Sequence, residues 1–378
     1  MNSLDARIDE LLAQAPYSYR PEEHTSSMLE VLKARVLQAA AASTTYSNYV
    51  SHWPVPVSDA CSVAELPYLP VSVFKQSPPL ALIPAEQFQR VLLSSATTGQ
   101  QPSRIALDSL TAKRMTKGVV NILRDFIGPE RRPYLVVDEP ATNAAGDELA
   151  ARGAAIRGLS PFASATTYCL KRNSAGELAV DEDSLAAFAS RHRNDAVLIY
   201  GFTTMLWTQL VQQLAQKRIC LGLSRAHVLH SGGWKKLTAE AVTRDEFNFK
   251  TAEVVGCAPS RVIDFYGMVE NLGIIYPDCS EGNKHAPVTG EVIVRNALTL
   301  KPVKTGEVGL VQVCSVLPSS FPGHLLLTED TAQVIAKHGC RCGRSGLAFR
   351  FAGRVAKAEA RGCGNVEARR LEQFAEAS

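Results

Sequence analysis

Leu92-Leu93-Ser94-Ser95-Ala96-Thr97-Thr98-Gly99-Gln100-Gln101-Pro102 is the stretch on which the reading of this chain turns. An apolar run gives way to two serines, two threonines and a glycine, so a strand is expected to deliver a loop dense in hydroxyls and pliable backbone. Such loops hold phosphate oxygens through hydroxyls and successive N–H groups. Ser94, Ser95, Thr97, Thr98 and Gly99 are therefore candidate phosphate ligands. A Walker loop is excluded, because no G-x-x-x-x-G-K-[ST] is present and no lysine stands close behind Gly99. Taken alone the stretch also fits a solvated turn, so the decision rests on what stands around it.

At 378 residues the chain exceeds the size at which one core usually stops growing, which predicts one large α/β domain or two unequal ones. Apolar content of 46%, charged content of 20% and a net charge of +3 describe an ordinary globular protein without polyanion bias, so nucleic acid is not an expected partner. Apolar runs such as Ala196-Val197-Leu198-Ile199-Tyr200 fall far short of the roughly 18 residues a spanning helix needs, so no membrane partner is expected either. The start, Met1 to Glu10, carries acids and no apolar signal core, which predicts a cytoplasmic protein. Nine cysteines, an odd number, then point to metal ligation or catalysis rather than a disulfide framework. Cys61, Cys169, Cys220, Cys257 and Cys314 stand in mixed or apolar surroundings and are expected to be buried.

Residues 1–60 read as a helical segment, with Leu4, Ile8, Leu11 and Leu12 at helical spacing and Met28, Leu29, Val31, Leu32, Val36 and Leu37 repeating it. Leu66 to Lys75 is too rich in proline for an inner strand. Beyond the loop, a helix from Ser109 to Phe126 precedes the apolar run Tyr134 to Asp138, and helix and strand alternate through Ala196–Tyr200, Met205–Leu214 and Ala226–Leu229. That alternation predicts an α/β fold with a parallel sheet. The last of these strands runs into His230-Ser231-Gly232-Gly233-Trp234-Lys235-Lys236, where the glycine pair lets backbone approach a ligand at a strand's carboxyl end.

Several short stretches resemble one family in its own order. The Ser/Thr/Gly loop is similar to the S-S/G-G-T-T-G-x-P phosphate loop of acyl-adenylating enzymes, with Ala96 in place of a glycine. Pro70-Val71-Ser72-Val73-Phe74-Lys75 and Gly232-Gly233-Trp234-Lys235 resemble the P-x-S-V-F-K and T-G-G-G-W-K runs of the acyl-protein synthetases of bacterial bioluminescence, the LuxE family. Tyr266-Gly267-Met268-Val269-Glu270 is similar to the superfamily's Y-G-x-T-E, with Val269 where threonine is usual. The resemblance implies that Tyr266 flanks adenine and that Glu270 helps hold Mg²⁺ and phosphates. Thr328-Glu329-Asp330 resembles the T-x-D whose aspartate grips the ribose, and Gly353-Arg354 resembles the G-R-x-D hinge, which gives Asp330 and Arg354 those roles. The implied division is 1–60, an adenylate-forming domain over 61–353, and a hinge with a short tail over 354–378. The mobile carboxyl-terminal domain usual in the superfamily is expected to be reduced to that tail.

Two further groups carry chemistry. Cys279 and His285, with Cys340 and Cys342, would make a closed Cys₃His set if brought together, suited to structural Zn²⁺. Neither spacing is the common C-x₂-C knuckle. Phenylacetate-CoA-ligase-like members of the superfamily place such residues at matching points, and His338 is a spare ligand candidate. In Ala360-Arg361-Gly362-Cys363-Gly364, resemblance makes Cys363 the thiol that accepts the acyl group, a free surface cysteine being the alternative. The expected activity is ATP-dependent activation of a carboxylic acid as acyl-adenylate, then transfer to a thiol, first Cys363 and then a partner reductase or carrier protein. Delivery to coenzyme A or an amine, and a non-catalytic acyl- or nucleotide-binding subunit, are the other readings. A homodimer formed through the amino-terminal helices is a further expectation.

Overall fold

β-branched and aliphatic runs build the centre of the molecule. The computed structural model describes residues 3–94, 101–143, 147–234 and 241–354, so Ser95, Thr97, Thr98, Gly99 and Cys363 lie outside the described residues. The strands in chain order are β1 (Leu69–Pro70), β2 (Arg90–Leu93), β3 (Arg104–Leu107), β4 (Arg132–Val136), β5 (Ala163–Tyr168), β6 (Leu170–Arg172), β7 (Leu178–Val180) and β8 (Leu198–Phe202). They continue as β9 (His227–Ser231), β10 (Val262–Tyr266), β11 (Tyr276–Pro277), β12 (Lys284–His285), β13 (Gly290–Arg295), β14 (Val308–Ser315), β15 (Leu325–Ala336) and β16 (Ala348–Arg354).

One sheet has the order β11-β10-β9-β8-β4-β5 and is parallel except for β11. Both of its faces are buried, as parallel sheets require. Leu135, Ile199, Val228 and Val262 pack on one face with the helix Arg244–Val255, and Tyr134, Val136, Leu198, Leu229 and Ile263 pack on the other with the helix Ser109–Ile127. The second sheet, β12-β16-β15-β14-β13, is antiparallel, with β1 added in parallel along Leu326–Leu327 of β15. It shares one core with the amino-terminal helices, where Ile8, Leu12, Met28, Leu32 and Val36 meet Val311, Val313 and Phe349.

The expected alternation of helix and parallel strand is therefore present. The prolines of residues 66–75 confine that segment to the two-residue edge β1 and one tight turn, Val71–Lys75. Three details depart from expectation. Leu37 lies on the outer side of its helix and is 56% exposed. The helix expected over Met205–Leu214 contains a π turn, Leu206–Val211. Only Cys169 and Cys314 of the five cysteines are buried; Cys257 is half-buried, and Cys61 and Cys220 are exposed on loop segments outside any helix or strand. Among the described residues no helix is long and apolar enough to cross a membrane.

Candidate functional site

The parallel strands β8, β9 and β10 end side by side at Phe202, Ser231 and Tyr266, which forms the crevice where open α/β sheets bind ligands. Gly232 follows β9 at φ +83°, a backbone state that suits glycine, and a Cβ there would come within 3.1 Å of the Phe202 ring. At Gly233 no described residue lies within 4 Å of where a Cβ would stand.

Three residues taken from separate motifs interlock at this edge. Tyr266 Oη donates to Asp330 Oδ2 at 2.7 Å, and Arg354 Nε donates to Asp330 Oδ1 at 2.9 Å. Asp330 and Arg354 face each other in the register of β15 and β16, which fixes the second contact through the backbone. Thr328 completes the turn of the strand: its hydroxyl donates to the Val311 carbonyl at 2.8 Å and accepts from the Asp330 N–H at 3.1 Å. Burial, then the Asp330 charge, holds the Tyr266 phenol well above its ordinary pKa, so it remains a donor. Burial opposes the Arg354 charge, yet Asp330 outweighs it and raises that pKa. Phe351 stacks on Tyr266 with centroids 5.3 Å apart, forming an aromatic step beside the crevice.

The phosphate-loop stretch hangs between two paired strands, β2 and β3. Its neck is closed by Ser94 N–H to the Ser103 carbonyl at 3.0 Å and by Ser103 N–H to Ser94 Oγ at 2.8 Å. Ser94 thus already spends an acceptor site on holding the neck, in addition to the phosphate contact expected of it. Glu270 is buried, 7% exposed, and so is not a freely solvated surface acid. Burial raises its pKa and nearby Asp330 adds to this, while the Ser103 hydroxyl and Lys75 act the other way. Ser103 Oγ makes no well-formed hydrogen bond among the described residues, so it acts on Glu270 by proximity, which sets the neck of the loop near that acid.

Cys279, His285, Cys340 and Cys342 come together as spacing suggested, with all four ligand atoms within 4.8 Å of one another. Cys342 Sγ lies 3.3 Å from His285 Nε2, and Asn283 Nδ2 donates to Cys340 Sγ at 3.4 Å. Zinc bonds of about 2.0–2.3 Å span tetrahedral edges of roughly 3.3–3.8 Å, so the donor set fits that ion with little contraction. His338 is exposed and outside the group. Beside it Lys284, 3% exposed, donates to Asp264 Oδ2 at 2.8 Å and to Asp278 Oδ1 at 2.9 Å, and Asp278 also receives Arg244 Nε at 2.7 Å. This ionic cluster ties the Cys/His group to the strand that carries Tyr266. Sequence reading missed it, as it missed Ser103, because no local pattern marks residues that meet only across the fold. Lys75 was visible, standing at the end of the P-x-S-V-F-K run.

Known proteins resemble the chain in sequence and in fold. The sequence profile of the family described as "Acyl-protein synthetase, LuxE" matches residues 3–372. A long-chain-fatty-acid–luciferin-component ligase of Aliivibrio fischeri is 23% identical over 341 residues, 86% of this chain and 84% of that one. The protein of the same name from Vibrio harveyi is 24% identical over 287 residues, 74% of this chain and 72% of that one. Among solved structures, an open conformation of 2-hydroxyisobutyryl-CoA ligase in complex with 2-HIB-AMP and CoA superposes at a TM-score of 0.65. That match covers 90% of this chain and 77% of the ligase at 14% identity, which is a likeness of fold.

Proposed function

The chain belongs to the acyl-protein synthetase family, LuxE, and is an AMP-forming ligase, and from that premise we propose that it activates a carboxylic acid with ATP and passes the acyl group to its own Cys363. In the first step a carboxylate oxygen attacks the α-phosphorus, the bond to the bridging oxygen breaks, and pyrophosphate leaves with the electron pair. Tyr266 flanks adenine, Asp330 holds the ribose hydroxyls, Arg354 contacts ribose or phosphate, and Gly232 and Gly233 line the crevice. Ser94, Ser95, Thr97, Thr98 and Gly99 cradle the phosphates, and Glu270 holds Mg²⁺. Bound there, the ion supplies charge neutralisation to the phosphates. The observation that carries the reading is the interlock of Tyr266, at the carboxyl end of β10, with Asp330 in the middle of β15 and Arg354 at the last described residue of β16.

In the second step the Cys363 thiolate attacks the acyl carbonyl and AMP leaves. Cys363 follows Arg354 by nine positions, a tether that spans at most about 30 Å from a residue at the site. Such a tether keeps the thiol at an effective concentration on the order of millimolar. Arg361 and Arg354 favour the thiolate. The acyl group then passes to a partner reductase or carrier protein. We keep 1–60, 61–353 and 354–378 as the division of the chain, and the cytoplasm as its compartment.

Intact-protein mass spectrometry after incubation with ATP, Mg²⁺ and a mixture of fatty and aromatic acids tests the second step. The expected result is a hydroxylamine-sensitive adduct on the wild type and none on Cys363→Ala, with AMP formation retained in the variant. An adduct that survives Cys363→Ala would contradict the assignment; AMP formation that needs coenzyme A, with no adduct, would transfer it to the small-acceptor reading.

The Cys₃His group holds structural Zn²⁺ in this proposal, through Cys279, His285, Cys340 and Cys342. Burial pushes the Cys279 thiol up to about 12 in the absence of a cation, and a bound ion would offset that cost. Elemental analysis is expected to find about one zinc per chain, and the double variant Cys340→Ser/Cys342→Ser is expected to lose it and melt several degrees lower. Full melting temperature in a metal-free wild type would contradict this.

A further inference from the structure

Just before the glycine pair lies a histidine that the nucleotide machinery does not use. Alternate residues of a strand share a face, so Val228 and His230 line one side of β9, with Gly201 of β8 and Asp264 of β10 flanking His230 in register. His230 is 5% exposed. Thr203 Oγ1 donates its single proton to the Ser231 carbonyl at 3.2 Å, so it must accept from His230 Nδ1–H at 2.9 Å. Asp264 Oδ1, 3.6 Å from Nδ1, favours the same tautomer. Nε2 is then a bare lone pair, fully buried and without a partner among the described residues. Burial lowers the pKa of this ring, chiefly by desolvation, which keeps it neutral.

The surroundings are aromatic. The Phe247 ring lies 4.4 Å from the imidazole, Trp207 stacks on Phe247 at 5.4 Å, and Trp234, next after the glycine pair, meets both edge-on. Trp207 sits in the π turn, an element found frequently at functional sites. Buried acceptors are normally satisfied, and this one belongs to the last residue but one of β9.

We infer that His230 selects the substrate: its Nε2 accepts a hydrogen bond from an O–H or N–H on the acyl part, so the preferred acid has an apolar or aromatic body carrying one such donor. The inference rests on the adenylating function proposed above. A site built to hydrogen-bond a substrate hydroxyl discriminates strongly against the analogue that lacks it, because the buried partner is then left unpaired.

The test is acid-dependent ATP–pyrophosphate exchange with matched pairs: 3-hydroxydecanoic against decanoic acid, and 4-hydroxyphenylacetic against phenylacetic acid. Wild type is expected to favour the donor-bearing member of at least one pair by about 10-fold or more in kcat/KM. His230→Phe, which keeps an aromatic ring in place, is expected to bring that ratio to about one with the KM for ATP unchanged. His230→Gln, which still offers an acceptor oxygen, retains part of the preference and keeps the test alive if the phenylalanine variant does not fold. A wild type without preference in either pair, or a preference that survives in His230→Phe, overturns the inference and leaves adenylation standing. Exchange with no acid at all overturns both.

Discussion

Glu270→Gln is expected to lower acid-dependent AMP formation by about 10³, equivalent to about 4 kcal/mol of transition-state stabilisation, while leaving the fold intact. The amide keeps the shape and removes the charge. In the proposed mechanism that charge holds the cation which neutralises the leaving pyrophosphate, and interactions of this kind act mainly in the transition state. Stability should move the other way. Burial raises the Glu270 pKa from its ordinary 4.5, so its contribution to stability is full below 4.5 and is lost as pH rises through the folded value. Glutamine has no such loss. The unfolding temperature of Glu270→Gln at pH 7.5 is therefore expected to equal or exceed that of wild type, whereas at pH 4 the two should converge. Calorimetry at both values, beside steady-state AMP release, checks the pair of effects; lower activity together with a lower melting temperature would make Glu270 a structural residue.

Asp330→Ala is the second large effect, with an expected loss of about 100-fold in kcat/KM for ATP. The carboxylate accepts from Tyr266 and Arg354 at once, and its removal releases both side chains to which the proposal gives the adenine and phosphate contacts. Each hydrogen bond to a charged group contributes about 1.5–3 kcal/mol, so one lost ribose contact together with disordered neighbours accounts for two orders of magnitude. The KM for the acid should change little, because the proposal places the acyl group toward His230 of β9 rather than at Asp330. Separate titration of ATP and acid in the variant checks this, and an equal loss in both would mean that the strand end as a whole had collapsed.

Much of this site could be read in the sequence because its residues are delivered by contiguous motifs. Tyr266 with Glu270, Asp330 with Thr328, and Gly353 with Arg354 each form a short word, and the order of the words identified the family that the profile match then bore out. The Cys₃His group was legible as two pairs, although only the fold brings Cys279 and His285 against Cys340 and Cys342. What escaped was carried by pairing across the fold. The clasp of Ser94 on Ser103 depends on the register of β2 with β3. The burial of Lys284 between Asp264 and Asp278 depends on three strands meeting at one edge. Exposure of Cys61 and Cys220 was misread for a related reason, since apolar neighbours in sequence say nothing of direction in a loop segment.

The central claim is that this chain makes acyl-adenylate, and exchange of radiolabelled pyrophosphate into ATP tests it without reference to any later acceptor. Exchange that requires both a carboxylic acid and Mg²⁺, persists in Cys363→Ala and fails in Glu270→Gln is the result predicted. Binding of ATP without acid-dependent exchange, across fatty and aromatic acids alike, would contradict it and leave a nucleotide-binding subunit in its place.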